Sequence, residues 1–440
     1  MPSAWDATSG AGNAAVAADQ SAWPETDWWH RFGSSQLDDL IDQARRNNDD
    51  LAAAVARVQE ADAQLRIAGA PLLPTVDLGA TATRERSNIP NEGMGVFNAF
   101  SPVLTASYEL DFWGKNRAAR DSARALAVAS RYDRQTVALT VISSVATTYL
   151  QALELHERIE VAQLNLENGR KILRGLALQQ QVGTATGLDV AQQETAVALL
   201  DAALPPLEQQ FRQTIYALAV LIGKTPESLD VTDGTLNDLK VPQVVAGLPS
   251  QLLTRRPDVA EAEQQLVAAN ADITVARAAL FPSITLTASG GYESDVLSSL
   301  VNPVNRIYAV SAGLTQPIFH GGALRGQLAF SKARYSELLS GYHKTVLTAL
   351  DDVESALVAA RQTAVQQVRQ AEAVAKARRA YEFAQTQMSA GTINVLTVLN
   401  TENALFSARD TLVQVQFSRL QALVDLYTAL GGGWQEGKSG

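Results

Sequence analysis

Few residues of this 440-residue chain could do proton-transfer, metal or phosphate chemistry, and their spacing does not suit it. The four histidines, His30, His156, His320 and His343, are scattered, and His156-Glu157 lacks the second histidine that a zinc-binding helix needs one turn on. Asp38-Asp39 and Asp351-Asp352 sit in helical patterns and read as solvated charge pairs rather than as an acid and its base. Gly432 followed by Gly437-Lys438-Ser439 spells a phosphate loop. That loop works only between a strand and a helix whose N-terminus faces the phosphate. Here a helical pattern precedes it and none follows, so the match is one of chance. There is no cysteine, which removes disulfides, thiolate metal sites and a thiol nucleophile. No nucleophile is paired with a base. The expectation is a protein that is not an enzyme, with no catalytic residues, no cofactor and no metal site.

The elements that would position any site are mostly helical. The net charge of −10 argues against a nucleic-acid partner, because phosphate backbones are bound by clustered Lys and Arg. Residues 1–20 carry neither a basic n-region nor an apolar h-region. Gln135–Leu153 is uncharged and about long enough to span a bilayer. It is nevertheless rich in Thr, Ser and Gln, with Ala138, Val141, Ile142, Val145, Tyr149 and Ala152 on one stripe, so it reads as an amphipathic helix packed on other helices.

One unit is written twice. Pro74 and Pro282, Gly183 and Gly391, and Gly223 and Gly431 are all separated by the same 208 residues, within matching surroundings. The predicted first repeat covers residues 1–250: helix about 35–69, strands about 74–86 and 101–112, helices about 115–181 and 187–222, and a segment 224–250. The second covers 251–440: helix about 251–280, strands about 282–293 and 304–318, helices about 323–389 and 394–430, and a tail. Proline marks each helix-to-strand switch, a Gly/Asn/Pro-rich loop separates the first two strands, and Pro205-Pro206 should kink or break the first return helix. Each long helix would measure on the order of 100 Å. Val346, Leu350, Val353, Leu357 and Ala360 keep a heptad-like spacing that makes it a coiled-coil-type packer.

The four strands alternate apolar with polar. Val76, Leu78, Ala80 and Ala82 face one way and Asp77, Gly79, Thr81 and Thr83 the other. A barrel wall between lipid and water has this pattern, and so does an ordinary half-buried sheet. Four strands cannot close a barrel, and open edges cannot sit in hydrocarbon. A lipid-facing wall must therefore be shared, and a cyclic trimer would give twelve strands.

Five motifs in order point to a family. They are Trp28-Trp29 with Phe32, Leu37, Leu40 and Asn48-Asp49-Asp50-Leu51; Glu109-Leu110-Asp111-Phe112-Trp113-Gly114; Arg255-Arg256-Pro257-Asp258-Val259 with Glu261-Ala262-Glu263; Ala276-Arg277-Ala278-Ala279-Leu280-Phe281-Pro282; and Ala429-Leu430-Gly431-Gly432-Gly433-Trp434. Together they resemble the TolC-like outer-membrane factors of tripartite efflux pumps, in the lipoprotein branch that serves resistance-nodulation-division (RND) transporters. The resemblance implies a mainly α fold with a β-barrel part: two fused structural repeats, four transmembrane strands and long coiled-coil-like helices per subunit. Three subunits would form a twelve-stranded barrel in outer-membrane lipid and an α-helical tunnel through the periplasm.

The resemblance also implies two sites. The helix turns at the periplasmic tip would dock an adaptor protein, here through Val182, Gly183 and Thr184 and through Gly391, Thr392 and Ile393. Glycine lets such a turn reverse tightly, while a turn hydroxyl can cap the next helix. The periplasmic gate would be ringed by Leu396, Thr397, Asn400 and Asn403, with Leu188 and Asp189 in the first repeat. The family often has acidic residues at the positions of Thr397 and Asn400, and close relatives have arginine at that of Asn403, so Asp189 is the nearest acidic candidate here. That branch carries an acylated cysteine at its mature N-terminus. Pro2-Ser3-Ala4-Trp5 resembles the stretch somewhat downstream of it, which implies a leader and first residues upstream of Met1. The expected function is a passive exit duct for drugs or other small molecules, with a periplasmic adaptor and an inner-membrane RND-type transporter as partners. The alternatives are type I protein secretion, metal-ion efflux, or, in another class, a soluble helical scaffold.

Overall fold

The computed structural model describes Trp5 and residues 25–89, 93–229, 231, 234–242, 244 and 249–432. Pro2-Ser3-Ala4, Gly433-Trp434 and Gly437-Lys438-Ser439 lie outside the described residues. In the first half, α1 (Ser35–Asn47) and α2 (Asp49–Gly69) lead into β1 (Thr75–Ile89) and β2 (Gly93–Leu110), then α3 (Lys115–Gln181), α4 (Gly187–Ala202) and α5 (Leu204–Leu221). In the second half, α6 (Pro257–Ala278), β3 (Ser283–Tyr292), β4 (Arg306–Thr315), α7 (Ala323–Ser389) and α8 (Val395–Ala429) repeat the order. The chain packs as two compact units, each drawing on both halves. One comprises Met1–Ala54, Asp133–Val259 and Val346–Gly440; the other comprises Val55–Tyr132 and Ala260–Thr345.

Three boundaries differ from the sequence reading. The single helix expected over 35–69 breaks at Asn48, whose extended backbone (ψ 128°) starts a new helix while its side chain accepts the Leu51 N–H at 3.0 Å. The helix expected from 251 begins as α-helix only at Pro257, because the residue before proline is pushed out of the helical region; Pro249–Thr254 is a 3₁₀ turn. The break expected at Pro205-Pro206 is present, since the return helix divides between Ala202 and Leu204. The loop expected between the first two strands is mostly strand, since the ladder runs on to Ile89 opposite Gly93. Backbone pairing carries β1 past the expected end at residue 86 and starts β2 well before residue 101.

The smaller unit holds a four-stranded antiparallel sheet in the order β1-β2-β3-β4. Its registers line up Val76, Ala106, Ala288 and Val310, then Leu78, Leu104, Gly290 and Tyr308. Directly opposed residues share a face, so the even-numbered residues make one apolar face across all four strands. Thr105, Ser107, Thr285, Thr287 and Ser311 lie on the other. The apolar face is left open: Leu78, Leu104, Val310 and Leu314 are all exposed. Where strands meet helices, Trp113 donates from Nε1 to the Pro282 carbonyl at 2.7 Å and stacks on Phe281 at 4.7 Å, with Phe112 edge-on. Asp111 accepts the Asn116 and Arg117 N–H groups and so caps α3.

The larger unit holds the main core. Trp28 stacks on Tyr427 at 4.9 Å and meets Trp29 and Phe32 edge-on. Val141, Val145, Ala146, Tyr149, Leu150, Ala152 and Leu153 of α3 pack into the same core. Among the described helices, α3 is the one long and apolar enough to cross a membrane, and 39% of the stretch responsible is buried. On α7, Ala349, Val353 and Ala356 are buried.

Two equivalent braces tie helix starts to helix ends. Asn48 donates from Nδ2 to the Leu221 carbonyl at 2.9 Å, and Arg256 donates from Nη1 to the Ala429 carbonyl at 3.2 Å. Gly223 and Gly431 follow with φ of 68° and 85°, and each lies against the backbone of the residue before its brace, Asn47 or Arg255. Arg256 also binds Asp258 and Asp352 at 2.7 and 2.8 Å.

Candidate functional site

Both helix turns are built by one set of bonds. Gly183 (φ 77°) and Gly391 (φ 70°) reverse the chain in the left-handed region, with open space around each. Thr184 donates from both its backbone N–H and its hydroxyl to the Gln179 carbonyl, at 2.9 and 3.0 Å. Thr392 does the same to Gln387, at 2.9 Å in both bonds. These hydroxyls therefore close the preceding helix and do not cap the next one. The caps come two residues later, from Thr186 accepting the Asp189 N–H and Asn394 accepting the Thr397 N–H. Val182 is 75% exposed, and Gly183, Thr184, Gly391 and Thr392 are exposed with it. Ile393 is different: it is half-buried against Tyr381, Val398 and Leu405.

The start of α8 has two faces. Val395, Val398, Leu399, Glu402 and Leu405 are buried, with Val395 and Leu399 packed on Leu176 of α3. Leu396, Thr397, Asn400 and Asn403 are all exposed, and the i, i+4, i+7 spacing of Leu396, Asn400 and Asn403 makes them one continuous stripe. Leu188 stands at the matching position of α4 and is 66% exposed. Asp189 is committed locally. Its carboxylate accepts the Thr186 N–H and hydroxyl at 2.8 and 2.7 Å, and these bonds hold its pKa below the usual value. A carboxylate closing a capping box is already satisfied where it stands.

Sequence reasoning passed over one titratable group beside this stripe, Glu402. It lies on the buried face between Val398 and Leu405, facing Tyr381 of α7. Burial pushes its pKa up to about 7, although a hydrogen bond with the Tyr381 hydroxyl works the other way. Burial, and then Glu402 itself, push Tyr381 up to about 12. The clue was available, because the apolar spacing of α8 places residue 402 among core positions.

A sheet with one exposed apolar face, followed by 67-residue helices with matched glycine turns, defines a barrel-forming channel protein with a helical extension. The outer membrane efflux protein family matches residues 40–224 and again residues 248–432, and the chain belongs to that family. The pyoverdine export outer membrane protein OpmQ of Pseudomonas putida is 43% identical over 429 residues, covering 96% of this chain and 91% of the relative. The cation efflux system protein CusC of Escherichia coli is 32% identical over 413 residues, covering 93% of this chain and 88% of the relative. Among solved structures, the outer-membrane channel OprN aligns with a TM-score of 0.90 at 28% identity, covering 99% of this chain and 98% of that one. The protein is an efflux channel of the outer membrane and not an enzyme, which sets aside the soluble scaffold.

Proposed function

We propose that three copies of this chain close one twelve-stranded barrel. The channel so formed is the exit duct of a tripartite pump, passively conducting small organic molecules passed on by a periplasmic adaptor and an inner-membrane RND-type transporter. The carrying observation is the four-stranded sheet whose edge strands β1 and β4 have no further strand partner among the described residues and whose even-numbered face is apolar. Hydrocarbon offers no substitute for a missing backbone partner, so β4 must pair with β1 of the next copy, and a closed ring satisfies both edges. Residues 1–250 and 251–440 serve as the two repeats of each subunit.

Val182, Gly183 and Thr184, with Gly391, Thr392 and Ile393, form the adaptor-docking tips, being turns held rigid by their own hydrogen bonds and open to a partner. The stripe Leu396, Thr397, Asn400 and Asn403, with Leu188 and Asp189, lines the periplasmic aperture. Its closure rests on leucine packing and neutral hydrogen bonds. Identity of 43% to a pyoverdine-export channel supports an organic cargo. Metal-ion efflux is the second reading, from the 32% identity to CusC.

The test is mass and conductance together. A detergent-purified particle of about 141 kDa, three chains of 47.1 kDa, that gives small, gated currents in a planar bilayer is expected. A monomer that stays soluble without detergent and never inserts would sink the reading. Restored siderophore secretion, as against restored metal tolerance, in cells lacking their own exit duct separates the two cargoes. Leu396→Ala should enlarge the closed aperture and raise resting conductance by about severalfold, because a ring of three leucines loses its apolar contacts at once. Equal resting conductance in mutant and wild type would remove Leu396 from the gate.

A further inference from the structure

Three arginines sit on the sheet's apolar face toward the strand ends away from the helices. Arg84 and Arg86 continue the even-numbered stripe Val76, Leu78, Ala80 and Ala82 of β1, and Arg306 opens β4 on that same face, opposite Tyr292. All three are exposed, and none forms an ion pair among the described residues. Opposite Arg84 and Arg86 on β2 stand Asn98 and Val96, which offer no counter-charge. Glu85 lies between the two arginines in sequence and so points to the other face.

A lipid-facing arginine costs about 2–4 kcal/mol at the bilayer midplane and close to nothing at the interface. These guanidiniums must therefore lie at headgroup level, at the end of the strands away from the helices. The distance agrees: eight residues from Val76 to Arg84 span about 27 Å of strand, or roughly 20 Å of membrane at the usual tilt. On the same face, Tyr292 stands directly opposite Arg306, Tyr308 lies two residues inside it, and Phe100 lies one pair inside Arg84. This is the amphipathic belt expected at such a boundary.

We propose that Arg84, Arg86 and Arg306 form a binding site for the phosphate groups of outer-leaflet glycolipid, the phosphorylated lipid A part of lipopolysaccharide. Arginine at all three positions suits this ligand, since the planar guanidinium grips phosphate through two bonds where lysine offers a point charge. Arg84 and Arg86 are about 7 Å apart along one strand, which lets them take one phosphate together or two adjacent ones. The sheet order puts Arg306 on the edge opposite β1. In the closed ring its strand pairs with β1 of the next copy, so the lipid bridges a subunit seam. The site rests on the barrel reading above.

The experiment uses the full-length particle in detergent, with bis-phosphorylated lipid A added, read by native mass spectrometry and thermal melting. Retained lipid and a higher melting temperature are expected, with dephosphorylated lipid A giving neither. The triple variant R84Q/R86Q/R306Q should lose lipid retention by at least about tenfold, since each lost charge-assisted bond counts roughly that much, and the corresponding triple lysine variant should be intermediate. Equal retention of dephosphorylated lipid A by the unmutated protein would overturn the proposal, and this arm does not depend on any variant folding. The same thermal shift with inorganic phosphate would overturn the lipid assignment, and equal retention by the glutamine variant would overturn the residues. Failure of the barrel reading would show separately, as a particle that does not insert into a bilayer.

Discussion

Gly431→Ala is expected to abolish the folded particle or lower its stability by about 3 kcal/mol or more, through strain and overpacking at a site that cannot relax. A β-carbon at Gly431 would lie 2.1 Å from the Arg255 carbonyl oxygen and 3.0 Å from its carbon, both backbone atoms. The φ of 85° is itself costly for any residue with a side chain. The carbonyl cannot retreat cheaply. The next residue, Arg256, is pinned by Asp258, Asp352 and the Ala429 carbonyl, and losing one partner of a buried charge network is expensive. Gly223→Ala should behave alike, its β-carbon falling 2.3 Å from the Asn47 oxygen. Gly183→Ala is the comparison, with φ 77° but nothing within 4 Å, and should cost only backbone strain of about 1 kcal/mol. The measurement is particle yield and thermal midpoint for all three. A Gly431→Ala protein that melts with the Gly183→Ala one would show that the Arg255 backbone yields.

The second large effect is the pH response of Glu402. The residue is 6% exposed, and its Oε1 has no hydrogen-bond partner among the described residues. A carboxylate there is stabilised poorly, and a carboxylic acid well, so the folded state holds its proton to about pH 7, against 4.5 for the free group. The sign follows from linkage. The folded pKa is raised, so the contribution to stability is fully present below pH 4.5 and is lost as pH rises through about 7. The loss is on the order of 3 kcal/mol across that window. Glu402→Gln keeps the shape, removes the charge, and should flatten the curve while melting higher than wild type at pH 8. Parallel pH profiles of stability for the two proteins would exclude Glu402. Because Glu402 lies on α8 between Asn400 and Asn403, its ionisation would also loosen the helix that carries the exposed stripe. Resting conductance should rise from pH 6 to pH 8 in the wild type and stay level in the variant.

Much of this architecture was legible because it is written in local periods. Alternation over Val76–Ala82 and Ile284–Ala288 marks strands whatever surrounds them, and proline and glycine at Pro74, Pro282, Gly183 and Gly391 mark ends by removing or permitting backbone conformations. Leu396, Asn400 and Asn403 were pointed to by the family resemblance and not by a local period, and the structure leaves them exposed on one face of α8. The strand extension past Arg86 was not legible. It depends on a backbone ladder with β2, to which side-chain polarity is irrelevant.

The sequence by itself determined the elements, which follow from residue types within one turn or one strand, and their duplication, which follows from the 208-residue offset. Only the tertiary structure decided which polar groups are braces and which are switches. Asn48 and Arg256 take their roles from carbonyls 173 residues away in the chain. Thr184 and Thr392 close the helix behind them because the turn folds back on Gln179 and Gln387. Glu402 falls at a core position in the apolar spacing of α8, but becomes a proton-holding acid only when Tyr381 and its apolar neighbours exclude water from it. Desolvation belongs to the packed environment, and a linear string of residues does not contain it.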